Sequence, residues 1–176
     1  MLELHDVWMT SLETHSDERG SFQEWFKRSD FLRSTGRDFE VTQANLSTSK
    51  KDVLRGIHFS IAKEGQAKWV TCLTGSIWDV IVDLRQESET FKKWIGIELF
   101  SKEPTCVFIP EGFGHGFLSL EDNTTVAYFL TSEYSPEMEF EINPFDPNLG
   151  ISWPTQNVTL SQKDRSAPNL DCYFKL

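Results

Sequence analysis

The chain has 176 residues, 39% of them hydrophobic, with 14 Phe and 6 Trp; this is one domain's length, long enough to bury a core and too apolar for a disordered segment. A net charge of −10 argues against general nucleic-acid binding, which needs a basic surface against phosphate, and makes any anionic ligand depend on a local cluster of Arg and Lys. Met1 to Asp6 lack the basic start and apolar run of a signal peptide, and no stretch approaches the roughly 20 apolar residues that span a bilayer; a single domain over residues 1–176, cytoplasmic and without membrane contact, is expected.

Turn residues such as Gly20, Asn45, Gly56, Gly65, Gly75, Gly112, Asn123 and Pro136 punctuate short runs rich in Val, Ile, Phe, Trp and Thr, the pattern of an all-β sandwich or barrel. In chain order, a short helix is expected from Asp30, capped by Ser29 and ended by Gly36. Val41 to Ser49 reads as a strand with Gln43 and Asn45 on one face, two amides that want a ligand or water. Val53 to Phe59 carries His58, but strict alternation sets it opposite Arg55, and the two reach one cavity only if a bulge lies near Gly56. Gln66, Lys68 and Val70 share a face. Ile77 to Asp83 is a strand whose Trp78, Val80 and Val82 form a fully apolar side opposite Ile77, Asp79, Ile81 and Asp83. Pro110 to Phe117 is a glycine-rich turn running into His115. Val126, Tyr128, Leu130 and Tyr134 share a face, and a second short helix starts at Ser161.

Two histidine-bearing strand ends with Lys68 between them point to a barrel interior equipped to remove a proton, because imidazole is the side chain that exchanges protons near neutrality. For His115 the plainer alternative is a packed imidazole with a local partner. Pro110-Glu111-Gly112-Phe113-Gly114-His115 fits the late turn of metal-binding cupins. Ser60, however, stands two residues after His58 where a second imidazole would be needed, and two distant histidines make a poor transition-metal site; no metal is expected. Cys72, Cys106 and Cys172 are odd in number and lack ligand spacing, so free thiols are expected. Ser161-Gln162-Lys163-Asp164 has the form of a helix capping box, and Tyr128 and Tyr134 that of strand tyrosines with one wet end.

Arg55-Gly56-Ile57-His58-Phe59, Gln66-Ala67-Lys68, Asp79-Val80-x-Val82-Asp83-Leu84-Arg85, Ser88-x-Thr90-Phe91, Pro110-x-Gly112-Phe113-x-His115-Gly116-Phe117 and Asp146-Pro147-x-Leu149-Gly150-Ile151-x-Trp153-Pro154 occur in this order. Together they resemble the dTDP-4-dehydrorhamnose 3,5-epimerases, over Asp17 to about Asp164. The resemblance implies a cupin-like double-stranded β-helix, or jelly roll, with a few short peripheral helices. It implies a homodimer with exchanged N-terminal strands that uses no metal or other cofactor and acts on a dTDP-4-keto-6-deoxyhexose. In the implied chemistry a proton leaves C3 or C5, an enolate forms with its charge on the C4 oxygen, and a proton returns from the opposite face.

Position by position, the resemblance makes His58 the base, Asp164 its orienting partner and Lys68 the cation beside the C4 oxygen. Tyr128 becomes the acid, a phenol that holds its proton at neutral pH yet can give it to a carbanion-like centre, the more readily if Lys68 or its neighbours lower its pKa. Arg19 and Arg55 match diphosphate contacts and Tyr134 an aromatic stacked on thymine, while Glu24, Gln43, Asn45, His115, Glu139 and Lys163 match other ligand-binding positions. With exchanged strands, Arg19 and Glu24 serve the partner's pocket. Ser60, Trp69 and Thr71-Cys72 depart from the family pattern, which bears on the product rather than the reaction class: inversion at C3 alone or C5 alone uses the same His, Lys and Tyr set. A non-catalytic sugar-nucleotide binder and a metal-dependent cupin are the alternatives from other classes.

Overall fold

The computed structural model describes residues 4–63 and 65–174. Its strands and helices, in order, are β1 (Trp8–Ser11), β2 (His15–Asp17), β3 (Gly20–Phe22), α1 (Arg28–Thr35), β4 (Gln43–Ser49), β5 (Leu54–Ser60), β6 (Lys68–Thr74), β7 (Ser76–Asp83), β8 (Trp94–Phe100), β9 (Thr105–Ile109), β10 (Phe113–Ser119), β11 (Thr124–Leu130), β12 (Glu139–Glu141) and α2 (Gln162–Arg165). One sheet has the order β1-β9-β6-β11-β4, a second β12-β5-β10-β7-β8, and β2 pairs with β3 in a separate hairpin. All named pairings are antiparallel. From β4 to β11 the chain crosses from one sheet to the other at every step except β7 to β8. This interleaving makes the eight strands a jelly roll, the cupin-like fold expected from the sequence.

Three apolar clusters hold the layers together. Between the sheets, Val70 and Cys72 of β6, Val107 and Ile109 of β9 and Val126 of β11 meet Ile77 and Ile81 of β7, Leu99 of β8 and Phe113 and Phe117 of β10. The fully apolar side of β7 lies elsewhere: Val80 and Val82 sit on the outer face of their sheet, under Ile142, Leu149, Trp153 and Leu170 of the C-terminal segment. That segment is tied down by Trp153 Nε1 donating to the Pro144 carbonyl at 2.8 Å and Leu170 N donating to Asp146 Oδ2 at 2.6 Å. The side of β7 that faces the interior therefore carries Asp79 among the isoleucines. The third cluster packs Phe31 of α1 with Phe39, Trp69 and Phe108 on the outer face of the other sheet.

The first helix starts earlier than its serine indicated. Its N-cap is Lys27, extended at φ −143° and ψ 113° with no side-chain cap, and Ser29 lies within the first turn; Gly36 ends the helix at φ 70° as expected. Burial of Phe31 against the aromatic cluster sets the start of this helix, overriding the local cap preference. At the second helix Ser161 is the N-cap, accepting from Asp164 N at 3.0 Å. All three cysteines are free, with Cys72 and Cys106 buried; burial pushes their thiols up to about 11 and about 12. No helix among the described residues is long and apolar enough to cross a membrane.

Candidate active site

A cavity of about 300 Å³ opens at one end of the jelly roll, lined from one sheet by Gln43, Asn45, Lys68, Tyr128 and Leu130 and from the other by Arg55, His58, Glu139 and Phe140. Gln66, Tyr134, Ser161, Lys163 and Asp164 complete its wall. Ten of the thirteen site positions expected from the sequence thus meet in one place.

A bulge brings Arg55 and His58 together. His58 pairs with His115 and Arg55 with Phe117, so three residues of β5 span two of β10. Glycine makes this possible on both strands: Gly56 has φ +112°, and a Cβ there would lie 2.6 Å from Gly116 Cα and from the His115 carbonyl oxygen. At Gly116 a Cβ would stand 2.8 Å from the Arg55 carbonyl oxygen. Arg55 is then steadied by Nε donating to Ser49 Oγ at 3.0 Å.

His58 Nε2 lies 2.5 Å from Asp164 Oδ1, and Ser161 Oγ donates to Asp164 Oδ2 at 2.8 Å. Burial alone would raise the Asp164 pKa, but the bonds from His58, Ser161 and the Gly56 backbone outweigh it and hold the carboxyl below its usual range. A carboxylate only accepts, so Nε2 carries a hydrogen, and in the neutral ring the lone pair is on Nδ1. Among the described residues nothing bonds Nδ1. The capping box and the His58–Asp164 pair are thus one arrangement: the serine that caps α2 also aims the carboxylate.

Opposite His58, on the facing sheet, stand Tyr128 and Lys68. Burial raises the Tyr128 pKa, with Asn45 and the Arg55 charge pulling the other way and failing to overcome it. The net effect is not the lowering that would ease proton release, because the phenol is mostly enclosed and Lys68 is not among the groups acting on it; the phenol is a firmly protonated donor. Lys68 is 7% exposed, and burial lowers its pKa against the pull of Glu139 and Asp79. The rim is organised by amides. Gln43 Nε2 donates to Asn45 Oδ1 at 2.9 Å while its oxygen accepts from Tyr134 N at 2.7 Å, and Gln66 Nε2 donates to Glu139 Oε1 at 2.9 Å. Lys163 forms an ion pair with Glu141 at 2.8 Å, a bond that raises its pKa.

Three expected positions lie apart. Arg19 sits on the exposed β2–β3 turn, bonded to Asp17. Glu24 lines a different cavity, of about 470 Å³, beside β1 and α1. His115 is buried beneath the site with Nε2 2.7 Å from Asp79 Oδ1. Leu130 and Phe140 are wall residues that the sequence reading did not select; Leu130 follows Tyr128 by two positions on the same face, so alternation carried the signal. Among the described residues no group of three or more His, Cys, Asp or Glu side chains is placed to hold a metal ion.

The fold and the site together set a carboxylate-bound imidazole on one wall of a cupin-like barrel opposite a protonated phenol and a lysine on the other, groups of the kind that acid–base chemistry uses. Comparison with known proteins narrows the class. A family model described as dTDP-4-dehydrorhamnose 3,5-epimerase matches residues 1–171. A dTDP-4-dehydro-6-deoxyglucose 3-epimerase of Streptomyces is 41% identical over 170 residues, covering 96% of this chain and 87% of its own. A dTDP-4-dehydrorhamnose 3,5-epimerase of Mycobacterium tuberculosis is 39% identical over 173 residues, covering 97% and 86%. The crystal structure of ChmJ, a 3'-monoepimerase from Streptomyces bikiniensis in complex with dTDP-quinovose, superposes with a TM-score of 0.91 at 40% identity, covering 96% of this chain and 86% of that one. The chain belongs to the dTDP-4-dehydrorhamnose 3,5-epimerase family, and is an isomerase of the epimerase type.

Proposed function

We propose that this epimerase acts on a dTDP-4-keto-6-deoxyhexose, inverting C3 and C5 to give dTDP-4-dehydrorhamnose from dTDP-4-dehydro-6-deoxyglucose. The observation that carries the reading is the His58–Asp164 pair at 2.5 Å facing Tyr128 and Lys68 across one cavity. Hydrogens on C3 and C5 flank the ketone, so loss of either gives an enolate on the C4 oxygen. His58 Nδ1 takes the proton, and the imidazolium formed is stabilised by Asp164. Tyr128, from the opposite sheet, returns a proton on the other face. Lys68 places positive charge where the enolate oxygen develops, favouring the transition state over the ketone. Only protons move, so no redox carrier enters the balance.

Arg55 is the diphosphate contact of this reading and Tyr134 the stacking surface for thymine. Gln43, Asn45, Glu139 and Lys163 bind the rest of the ligand. His115 belongs to the same assignment through the floor of the cavity, which it supports from below. The chain acts as a homodimer with exchanged N-terminal strands, Arg19 and Glu24 of one copy serving the other's pocket. The exposure of Trp8, Met9 and Phe22 on β1 and β3 supports an interface there. Three free thiols fit a reducing, cytoplasmic setting. A second reading, inversion at C3 alone, is favoured by the similarity to 3-epimerases at 41% and 40% identity.

Incubation with dTDP-4-keto-6-deoxyglucose in deuterium oxide tests both. Label at C3 and C5 is expected, label at C3 alone selects the second reading, and label at neither carbon ends the proposal. His58→Ala and Tyr128→Phe are expected to abolish inversion while dTDP still binds.

A further inference from the structure

At the cavity floor, Lys68 faces a buried carboxylate that has one oxygen left over. The Lys68 side chain enters the space between the sheets from β6, on the same face as Val70 and Cys72 of the central core. Among the described residues its ammonium makes no hydrogen bond and no ion pair. Asp79 enters that space from β7 on the facing sheet, on the same side as Ile77 and Ile81, and is fully buried. His115 fixes its Oδ1 at 2.7 Å, while Oδ2 is buried without a hydrogen-bond partner among the described residues. A carboxylate oxygen in that position is costly to bury, and a lysine charge entering the same interior offsets that cost.

We infer that Asp79 is the buried counter-charge of Lys68, oriented by His115, and that it holds the ammonium charged at the cavity floor without touching substrate. Asp79 is a positioning residue in this scheme, acting on the enolate through Lys68, and His115 serves the site from behind it. The inference rests on the proposed role of Lys68 at the C4 oxygen. The field of Asp79 opposes the effect of burial on Lys68, across an interior where charges are weakly screened. The other charge acting on Lys68 is Glu139 of β12. Glu139 is only half-buried, is bonded to Gln66 and lies on the cavity wall where ligand enters. Asp79 is beyond the reach of ligand, and its contribution persists through the reaction. The remaining titratable and charged neighbours of the interior are Cys72 of β6, on which Asp79 also acts, Tyr128 of β11, His58 and Arg55 of β5 and His115 of β10.

The test is Asp79→Asn in the full chain, with lysine side chains isotopically labelled and the Lys68 signal assigned by its loss in Lys68→Met. The Lys68 titration midpoint is expected to fall relative to wild type in the absence of substrate. The alkaline limb of the kcat profile should move toward neutral pH with it, so that kcat on that limb drops about tenfold while KM stays within about twofold. Coupling is reciprocal, so Lys68→Met should raise the Asp79 titration midpoint, a readout that survives if Asp79→Asn fails to fold. An unmoved Lys68 midpoint in Asp79→Asn, or an unmoved Asp79 midpoint in Lys68→Met, overturns the inference. Midpoints that move in an enzyme placing no deuterium in the ketosugar would uphold the counter-charge and refute the proposed reaction instead.

Discussion

Asp164→Asn separates the work of the carboxylate from that of the imidazole it holds. Asp164 is 4% exposed and shares its two oxygens between His58 and Ser161, so the substitution changes one charge and almost no volume. Ser161 Oγ can accept from the new NH2 group, which keeps the amide oxygen on His58 and preserves the tautomer with Nδ1 free. What is lost is the charge in the bond that stabilises the imidazolium. A hydrogen bond to a charged group contributes about 1.5–3 kcal/mol and a neutral one about 0.5–1.5; the difference, about 1–1.5 kcal/mol, lowers kcat by about 5–13-fold. Deuterium incorporation into dTDP-4-keto-6-deoxyglucose, followed by NMR at several substrate concentrations, gives kcat and KM, and KM should stay within about twofold. Stability carries a second signature. Because the folded Asp164 carboxyl is held below its unfolded range, its bonds stabilise the protein above that range and are lost as the pH falls through the folded value. Asp164→Asn should therefore lose stability at neutral pH and show a shallower acid decline. A kcat within twofold of wild type would refute the dyad reasoning.

The bulge and the acid-side stability make two further tests. Gly56→Ala puts a Cβ 2.6 Å from the backbone of β10 at φ +112° and is expected to cost about 3 kcal/mol or more in urea unfolding, with activity lost as Arg55 and His58 part; wild-type stability would show that the close approach is relaxed. Asp83 is fully buried. Burial raises its carboxyl pKa, but bonds from Arg85, Ser88 and Thr90 bring it down to about 2. Against an unfolded value near 3.8 this stabilises the fold by about 2 kcal/mol at neutral pH. The stability gap between wild type and Asp83→Asn should close as the pH falls from about 4 to about 2; a gap that is constant over that interval would refute the assignment.

Local rules reached much of this site. Alternation placed Gln43 with Asn45 and Tyr128 with Leu130, because a strand's side chains take turns whatever surrounds it. The conflict between Arg55 and His58 named the bulge at Gly56 in advance, since only an extra residue could reconcile their faces. The Ser161 cap of α2 was legible for the same local reason, and its second task was not: position 164 meets position 58 only after the C-terminal segment has folded across the outer face of β7. The early start of α1 was likewise hidden, depending on what Phe31 packs against. Asp79 stood in a quoted motif without a role, because a strand sequence does not say which of its sides faces the interior.

The order of residues by itself determined the family of the chain, its all-β character and the kinds of side chain available for proton transfer, because strand period, turn chemistry and motif order are properties of neighbours along the backbone. The tertiary structure alone decided which face of β7 lined the space between the sheets, which carboxylate each histidine received and that Lys68 and Asp79 share one interior. Those choices are made by contacts between strands far apart in sequence, and their energies depend on burial that no local stretch encodes.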